Sequence, residues 1–523
     1  MATMHREGER VVEFEGLADR QLRPDELLGV AAVKHTPRQH LDAVHYDTAD
    51  LRLLRQGITL RRRSGDSEAG WHLTIPAEDG SRREFGLPLA AGVPGNVPAR
   101  LAALVRAHTR GRELRGVARL RTVRSRTLLV DRRGRTLAEV VEDQVSARVL
   151  EPGPGVAAPV TSWARTRVEL AHGGAGLLVA VEQVLRGQGL RPAEDGPELA
   201  RALGGDGADG DGADGDRVAG RRRGRGGATG VGGATRAGGA TAAALAAYLR
   251  QNAERLVTLD VAVRLDEPDA VHQMRICQRR MRSALVANRR LLRRHRTDRL
   301  SEELRWLGTL LGRARDAEVT GARLTAQAAQ LPLSAQSEEL PAQLERWFAQ
   351  HYRQAHHEVL VALDSPRYYR LLDSLERFAD RPWLRKHAEA GRSVARRTLR
   401  RECRRTGRRL RAAFALPPGD QRDEAVHRAR KAAKQARYAA ECLYPALGAG
   451  GRRVAGDLKA IQQPLGSYQD AVVTQQAILL VAAEARRLRQ DTFGYGVLYG
   501  AQRDHSEEDL AAARRAWNRV ERR

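Results

Sequence analysis

The sequence predicts an α+β multidomain chain, with an antiparallel N-terminal β-sheet or barrel and an all-helical C-terminal half. Three observations carry that expectation. Residues 5–203 hold short stretches that alternate apolar and polar side chains, the period of strands with one polar face. Residues 204–241 are rich in Gly, Asp and Arg and poor in anything that could bury a core. Residues 242–523 run in long Leu/Ala/Arg stretches at helical spacing. A chain of 523 residues exceeds one core, so two or three domains are expected.

The strand signals are Ile58-Thr59-Leu60-Arg61-Arg62-Arg63, Trp71-His72-Leu73-Thr74-Ile75, Arg119-Leu120-Arg121, and Leu137 to Val145. Their polar alternate positions suit an antiparallel sheet or barrel. The low-complexity stretch reads as a flexible linker whose acidic half (206–216) precedes its basic half (217–236). Beyond it, breaks fall near Pro332 to Pro341, Pro366, Pro382, Pro417-Pro418 and Gly448 to Gly451. That spacing predicts helices of about 15–25 residues.

Charge is unevenly spread. The chain carries a net +26, and residues 241–523 hold 53 Lys and Arg against 33 Asp and Glu, or +20. The helical half is therefore the part that attracts anions. Almost all of the cations are Arg, whose planar fork suits phosphate oxygens. The three cysteines, Cys277, Cys403 and Cys442, are far apart and form no CxxC, which fits a reducing compartment. A polar N-terminus and the lack of an 18-residue apolar run point to a soluble, cytoplasmic protein without membrane contact.

The helical half repeats itself. Val271-His272-Gln-Met-Arg275 through Arg279 and Arg282 matches Val426-His427-Arg-Ala-Arg430 through Lys434 and Arg437, 155 residues later. Leu304-Arg305 through Gly312 to Asp316 matches Leu458-Lys459 through Gly466 to Asp470, 154 residues later. Two copies of one unit are expected, at about 242–390 and 391–523. Within each copy, positions 0, 3, 7 and 10 fall within about an 80° arc of a helix. One His and three cations therefore share a face, while Met274, Cys277, Met281 and Leu285, or Ala429, Ala432, Ala436 and Ala440, take the opposite side. Such a stripe is self-repelling, and an anion relieves the repulsion. A third basic element runs from Arg392 to Arg411 with only Glu402 opposing it. A nucleic-acid or membrane-surface helix is the rival reading of that element, although no aromatic is interleaved for base stacking.

These helical motifs resemble the CHAD family, the conserved-histidine α-helical domain, over about 242–523. The resemblance implies a pair of four-helix bundles around a basic cavity that binds inorganic polyphosphate. It assigns the anion to His272, Arg275, Arg279, Arg282, Arg305, His427, Arg430, Lys434, Arg437 and Lys459, with Asp316 and Asp470 orienting the cations. It also implies association with polyphosphate granules in a bacterial cytoplasm.

The strand half resembles the CYTH family of triphosphate-tunnel metalloenzymes. The resemblance rests on His45-Tyr46-Asp47-Thr48, Gly57 to Arg63, Gly70 to Leu73, Arg83-Glu84, Ala118 to Arg121, and Leu137-Ala138-Glu139 with Glu142-Asp143. It implies an eight-stranded tunnel in which Arg61, Arg63, Arg83, Arg119, Arg121 and Arg124 hold a triphosphate. Mg or Mn would sit on Glu7, Glu9, Glu139, Asp143 and Glu169 and activate water. The sequence departs from that pattern. The Glu-x-Glu-x-Lys strand reads Glu7-Gly8-Glu9-Arg10-Val11, and Arg165 and Arg167 stand where carboxylates belong. The expectation is a degenerate tunnel that binds phosphate without turnover, tethered to a polyphosphate-binding module. The alternatives are an active metal-dependent triphosphatase or polyphosphate hydrolase, and a nucleic-acid binder.

Overall fold

The computed structural model describes residues 4–5, 11–18, 20–27, 29–77, 79–150, 160–193, 196–204, 239–332, 339–381, 383, 385 and 391–521. The chain divides into two compact units, residues 1–225 and 226–523.

The first unit is built on one sheet. Its elements are β1 (Met4–His5), β2 (Val11–Glu15), β3 (Ala32–His35), β4 (Gln39–Asp47), β5 (Thr59–Ser64), β6 (Gly70–Pro76), β7 (Arg82–Leu87), α1 (Ala99–Thr109), β8 (Arg115–Val130), β9 (Thr136–Val149), β10 (Val160–Leu170), α2 (Ala175–Gly187), β11 (Arg191–Pro192) and α3 (Glu198–Ala202). The strand order is β1-β7-β6-β5-β4-β8-β9-β10-β2-β11, with β3 also on β8. Every pairing is antiparallel. β3 and β4 lie one after the other along β8. β1 pairs with β7 near one edge and β2 with β10 near the other. Six residue steps separate His5 from Val11, a reach of about 20 Å at most, so the two edges are drawn together. Counting β1 with β2, and β3 with β4, gives eight strand lines plus the short β11.

Cross-strand partners share a face, so the register sorts the side chains. The outer face carries Phe14, Leu129, Ala138, Val140, Val168 and Leu170, buried against Leu177, Val181 and Leu185 of α2. The inner face is charged along much of its length. At one end it turns apolar, where Leu120, Val145, Ala147 and Trp163 pack on Leu199 and Ala202 of α3. Asp47 is structural: its carboxylate accepts from the backbone N–H of Thr48, Leu53 and Leu54 at 2.6–2.9 Å. It thereby fixes the turn that leads into β5.

The second unit is helical: α4 (Ala240–Arg264), α5 (Ala270–Ala287), α6 (Arg294–Ala328), α7 (Leu340–Leu363), α8 (Pro366–Asp380), α9 (Arg392–Phe414), α10 (Asp420–Leu447), α11 (Ala449–Arg487) and α12 (Phe493–Glu521). Successive helices pack in two runs, α4 to α7 and α9 to α12, with α8 added on α4. The runs meet where α10 lies on α4 and α5. α5 matches α10 and α6 matches α11, which places the repeated motifs on equivalent helices. α6 spans 35 residues and α11 spans 39, longer than the spacing of breaks predicts. Pro464 lies inside α11 without ending it, because the long packed flanks outweigh the loss of one backbone hydrogen bond.

Candidate functional site

The two units each concentrate arginine, and they handle it differently. In the first unit the register puts Arg61, Arg63 and Arg124 on the inner face with His45, Glu84, Glu139, Asp143 and Glu169. Arg83, Arg119 and Arg121, expected inside, stand on the outer face instead. Each is odd-numbered on a strand whose inward positions are even. Arg119 pairs with Asp42 there, Nε to Oδ1 at 2.8 Å, and Arg83 lies over the Phe85 ring at 5.4 Å. The sequence shows alternation but not which phase faces in, and that phase is set by what packs outside.

Several inner carboxylates are already engaged. Arg124 grips Asp143 through two bonds of 2.7 Å, a bidentate geometry. Arg126 lies 3.5 Å from Glu139, Arg165 lies 3.3 Å from Glu13 and Arg201 lies 2.8 Å from Glu15. Arg63 pairs with Asp66 and, at 2.9 Å, with Glu68. These two acids are turned back onto it by Gly65, whose φ is +108° and where a Cβ would overlap the His40 carbonyl. Burial lowers the basicity of Arg61, with Glu198 the strongest opposing influence. His45 sits beside it with neither ring nitrogen bonded, and burial followed by Arg61 pushes its pKa down to about 3.

Glu139 and Glu169 face each other across β9 and β10, but Asp143 lies four residues along, about 13 Å away. Glu7 and Glu9 lie outside the described residues. Among the described residues no three His, Cys, Asp or Glu side chains gather as metal ligands. Arg165 and Arg167 share this inner face, and each repels a divalent cation. The residues described do not fit a metal, and no step through one is derived. Glu13 and Glu15 are inner-face acids that the sequence reading missed. Continuing the period of two from Glu9 through Val11 would have found them.

In the helical unit the repeated motifs converge. Arg275 on α5 donates to Asp316 on α6 at 2.9 Å, and Arg430 on α10 donates to Asp470 on α11 at 3.2 Å. The matched glycines explain the rest of the motif. A Cβ at Gly312 would lie 3.3 Å from the Arg275 guanidinium, and one at Gly466 3.8 Å from that of Arg430. Gly clears a groove across the helix, and Asp one turn later holds the guanidinium in it.

The two copies are also in each other's electrostatic reach. Burial lowers the basicity of Arg430, and Arg279 and Arg275 from the other copy lower it further against Asp470 and Asp316. Burial, then Arg430 and Arg279, push Lys434 down to about 6. Arg275, Arg279, Arg430 and Lys434 from α5 and α10 thus form one basic cluster. The histidines flank it. His427 Nδ1 lies 2.7 Å from Gln469 Oε1, while His272 has Arg315 at the matching position. Burial leads in lowering both, with Arg315 next for His272.

The outer ends of the stripes diverge. Arg282 and Arg305 line a separate cavity of about 270 Å³ with Arg289, Thr297, Asp298 and Glu302. Arg437 instead lies over Tyr438 at 4.6 Å and 3.5 Å from Glu441, and Lys459 is exposed.

Comparison with known proteins agrees with this division. Residues 15–152 match the CYTH domain family and residues 247–479 the CHAD domain family. A protein of Mycobacterium tuberculosis (strain CDC 1551 / Oshkosh), the uncharacterised protein MT2285, is 34% identical over 98% of this chain and 94% of its own length. The chain belongs to the CYTH–CHAD family. Among solved structures, PptA from Streptomyces chartreusis is 23% identical, with a TM-score of 0.44 over 53% of this chain and 99% of its own. The CHAD domain from Ricinus communis is 25% identical, with a TM-score of 0.41 over 54% of this chain and 92% of its own. In family terms, the self-paired arginines belong to the CYTH domain and the convergent ones to the CHAD domain. No helix among the described residues is long and apolar enough to cross a membrane.

Proposed function

We propose that this protein binds inorganic polyphosphate, in the cavity between α5 and α10 of the CHAD domain. One observation supports the reading above the others. Two arginines from separate repeats are each anchored by one Asp, and Arg279 and Lys434 stand beside them. A cavity that holds cations at this density, at a cost in Lys434 basicity, is relieved by a multivalent anion. His272, Arg282, Arg305, His427, Arg437 and Lys459 extend the site along the polymer. The CYTH tunnel turns nothing over in this reading, because Glu13, Glu15, Glu139 and Asp143 are held by its own arginines; Arg61 and Arg167 are inner cations left to meet a phosphate. In cells the chain would collect at polyphosphate granules.

The test combines binding and turnover. The purified chain, with Mg²⁺ or Mn²⁺, is titrated with tripolyphosphate, long-chain polyphosphate and duplex DNA at about 150 mM salt, and phosphate release is followed. Tight polyphosphate binding without release is the expected result. Release at enzyme-like rates would replace this reading with the triphosphatase, and equal or tighter DNA binding would replace it with the nucleic-acid binder.

A further inference from the structure

The cavity does not use the most basic helix of the molecule. α9 carries ten Arg against one Glu. α4, which opens the first run as α9 opens the second, carries three Arg against Glu254 and Asp260. The excess therefore belongs to one copy and not to the repeated motif. Ala395, Thr398, Leu399, Glu402, Thr406 and Leu410 bury one side of α9. Arg396, Arg397, Arg400, Arg404 and Arg408 are exposed and fall within about a 120° arc on the side away from it. None of the five makes an ion pair with a described residue, although other arginines of the helix do: Arg401 and Arg405 with Glu402, and Arg411 with Glu521. Arg396 to Arg408 spans about 18 Å, with a guanidinium about every 6 Å.

Like charges at i, i+4 destabilise a helix, and here five arginines face solvent with no ion-pair partner among the described residues. The same helix also touches both helices that carry the repeated stripes. Arg405 reaches Gln435 at 3.5 Å, and Gln435 follows Lys434 on α10. Arg401 donates to the Ala287 carbonyl at the C-terminal end of α5, the helix that carries the first stripe.

We propose that the exposed arginine face of α9 is a second, outer track for the same polyphosphate chain, engaged by segments that extend beyond the cavity. The inference rests on the cavity reading. It adds a selectivity for long chains over short ones that the cavity alone does not supply. A linear, flexible polyanion suits the ridge better than a single-stranded nucleic acid does, because no aromatic side chain lies between Arg392 and Arg411 to stack a base. The track acts by added phosphate contacts and raised local concentration, with no bond made or broken.

The test replaces Arg396, Arg397, Arg400, Arg404 and Arg408 together by Gln, a good helix former, in the full chain. Long-chain polyphosphate should bind about tenfold or more weakly with a shallower salt dependence, while tripolyphosphate binding stays unchanged. Unchanged long-chain affinity overturns the proposal, as does an equal loss for both polymers. Loss of duplex DNA binding with long-chain binding kept overturns it in favour of a nucleic-acid surface. Arg275→Gln with Arg430→Gln is the companion. If that pair leaves tripolyphosphate bound, the cavity reading falls, whereas the outer track is judged on the long chain alone.

Discussion

The CYTH tunnel and the CHAD basic cluster both gather arginines, and they differ in how many of those charges an acid meets. In the tunnel, Arg124, Arg126, Arg165 and Arg201 each meet a carboxylate. In the CHAD cluster, Asp316 and Asp470 anchor Arg275 and Arg430, and Arg279 and Lys434 beside them make no ion pair with a described residue. Density of arginine therefore does not by itself tell which charges remain free for an anion. What counts is whether the fold also supplies the counter-charge, since a guanidinium already bidentate to a carboxylate must lose that partner before it can take a phosphate.

The sharpest way to break this comparison is to remove the cavity's anchored pair. Arg275→Gln with Arg430→Gln should cost two charge-assisted contacts, about 3–6 kcal/mol, or on the order of 10²- to 10⁴-fold in polyphosphate affinity by titration calorimetry. Normal binding by that variant would show that the cavity is not the site. In the tunnel, Arg124→Ala should instead cost stability. It strands Asp143 in a largely buried pair, for about 3 kcal/mol in denaturant unfolding, and Arg124→Leu with Asp143→Leu should recover much of it.

A third variant converts one region toward its expected chemistry. Arg165→Glu with Arg167→Glu frees Glu13 and returns carboxylates to β10. Mn²⁺ should then stabilise the CYTH unit, by about 2–3 kcal/mol at a hundredfold excess over its Kd, where it does nothing to the parent. A fourth concerns protons. Lys434 at about 6 is largely neutral at pH 8, and an incoming anion favours its charged form. Affinity should therefore rise about tenfold from pH 8 to pH 6, and Lys434→Arg should flatten the profile. The same shift has the opposite sign for folding. The unfolded chain holds the Lys434 proton up to about 10.5 while the folded chain loses it near 6, so this group makes stability rise with pH across that window. The smallest effect is expected of His272→Ala, about threefold in affinity and far below the double arginine variant.

Much of this was legible in advance. The repeat offsets located α5, α10, α6 and α11, and the Gly-to-Asp spacing marked the residues that hold Arg275 and Arg430. The helical period alone placed Ala429, Ala432 and Ala436 on a buried face. The tunnel was legible as alternation but not as direction, so Arg83, Arg119 and Arg121 were expected on the wrong face. Glu13 and Glu15 lie beyond Val11, where the Glu-x-Glu-x-Lys pattern breaks, so only the period of two points to them. Arg126 and Glu198 emerge from pairings between distant segments that no local pattern announces.

By itself, then, the sequence determined the two classes of secondary structure, the duplicated helical unit and which side of α5 and α10 is basic. These follow from periods of two and 3.6 residues and from the repetition of spacing, all of which are properties of neighbours along the chain. The tertiary structure alone decided which arginines are matched by acids. It closes Arg124 on Asp143 and Arg165 on Glu13, and it brings Arg279 and Arg430 from separate copies into one basic cluster. Charge compensation depends on distance in space, and a residue's partner across a sheet or between two helices can lie anywhere in the sequence.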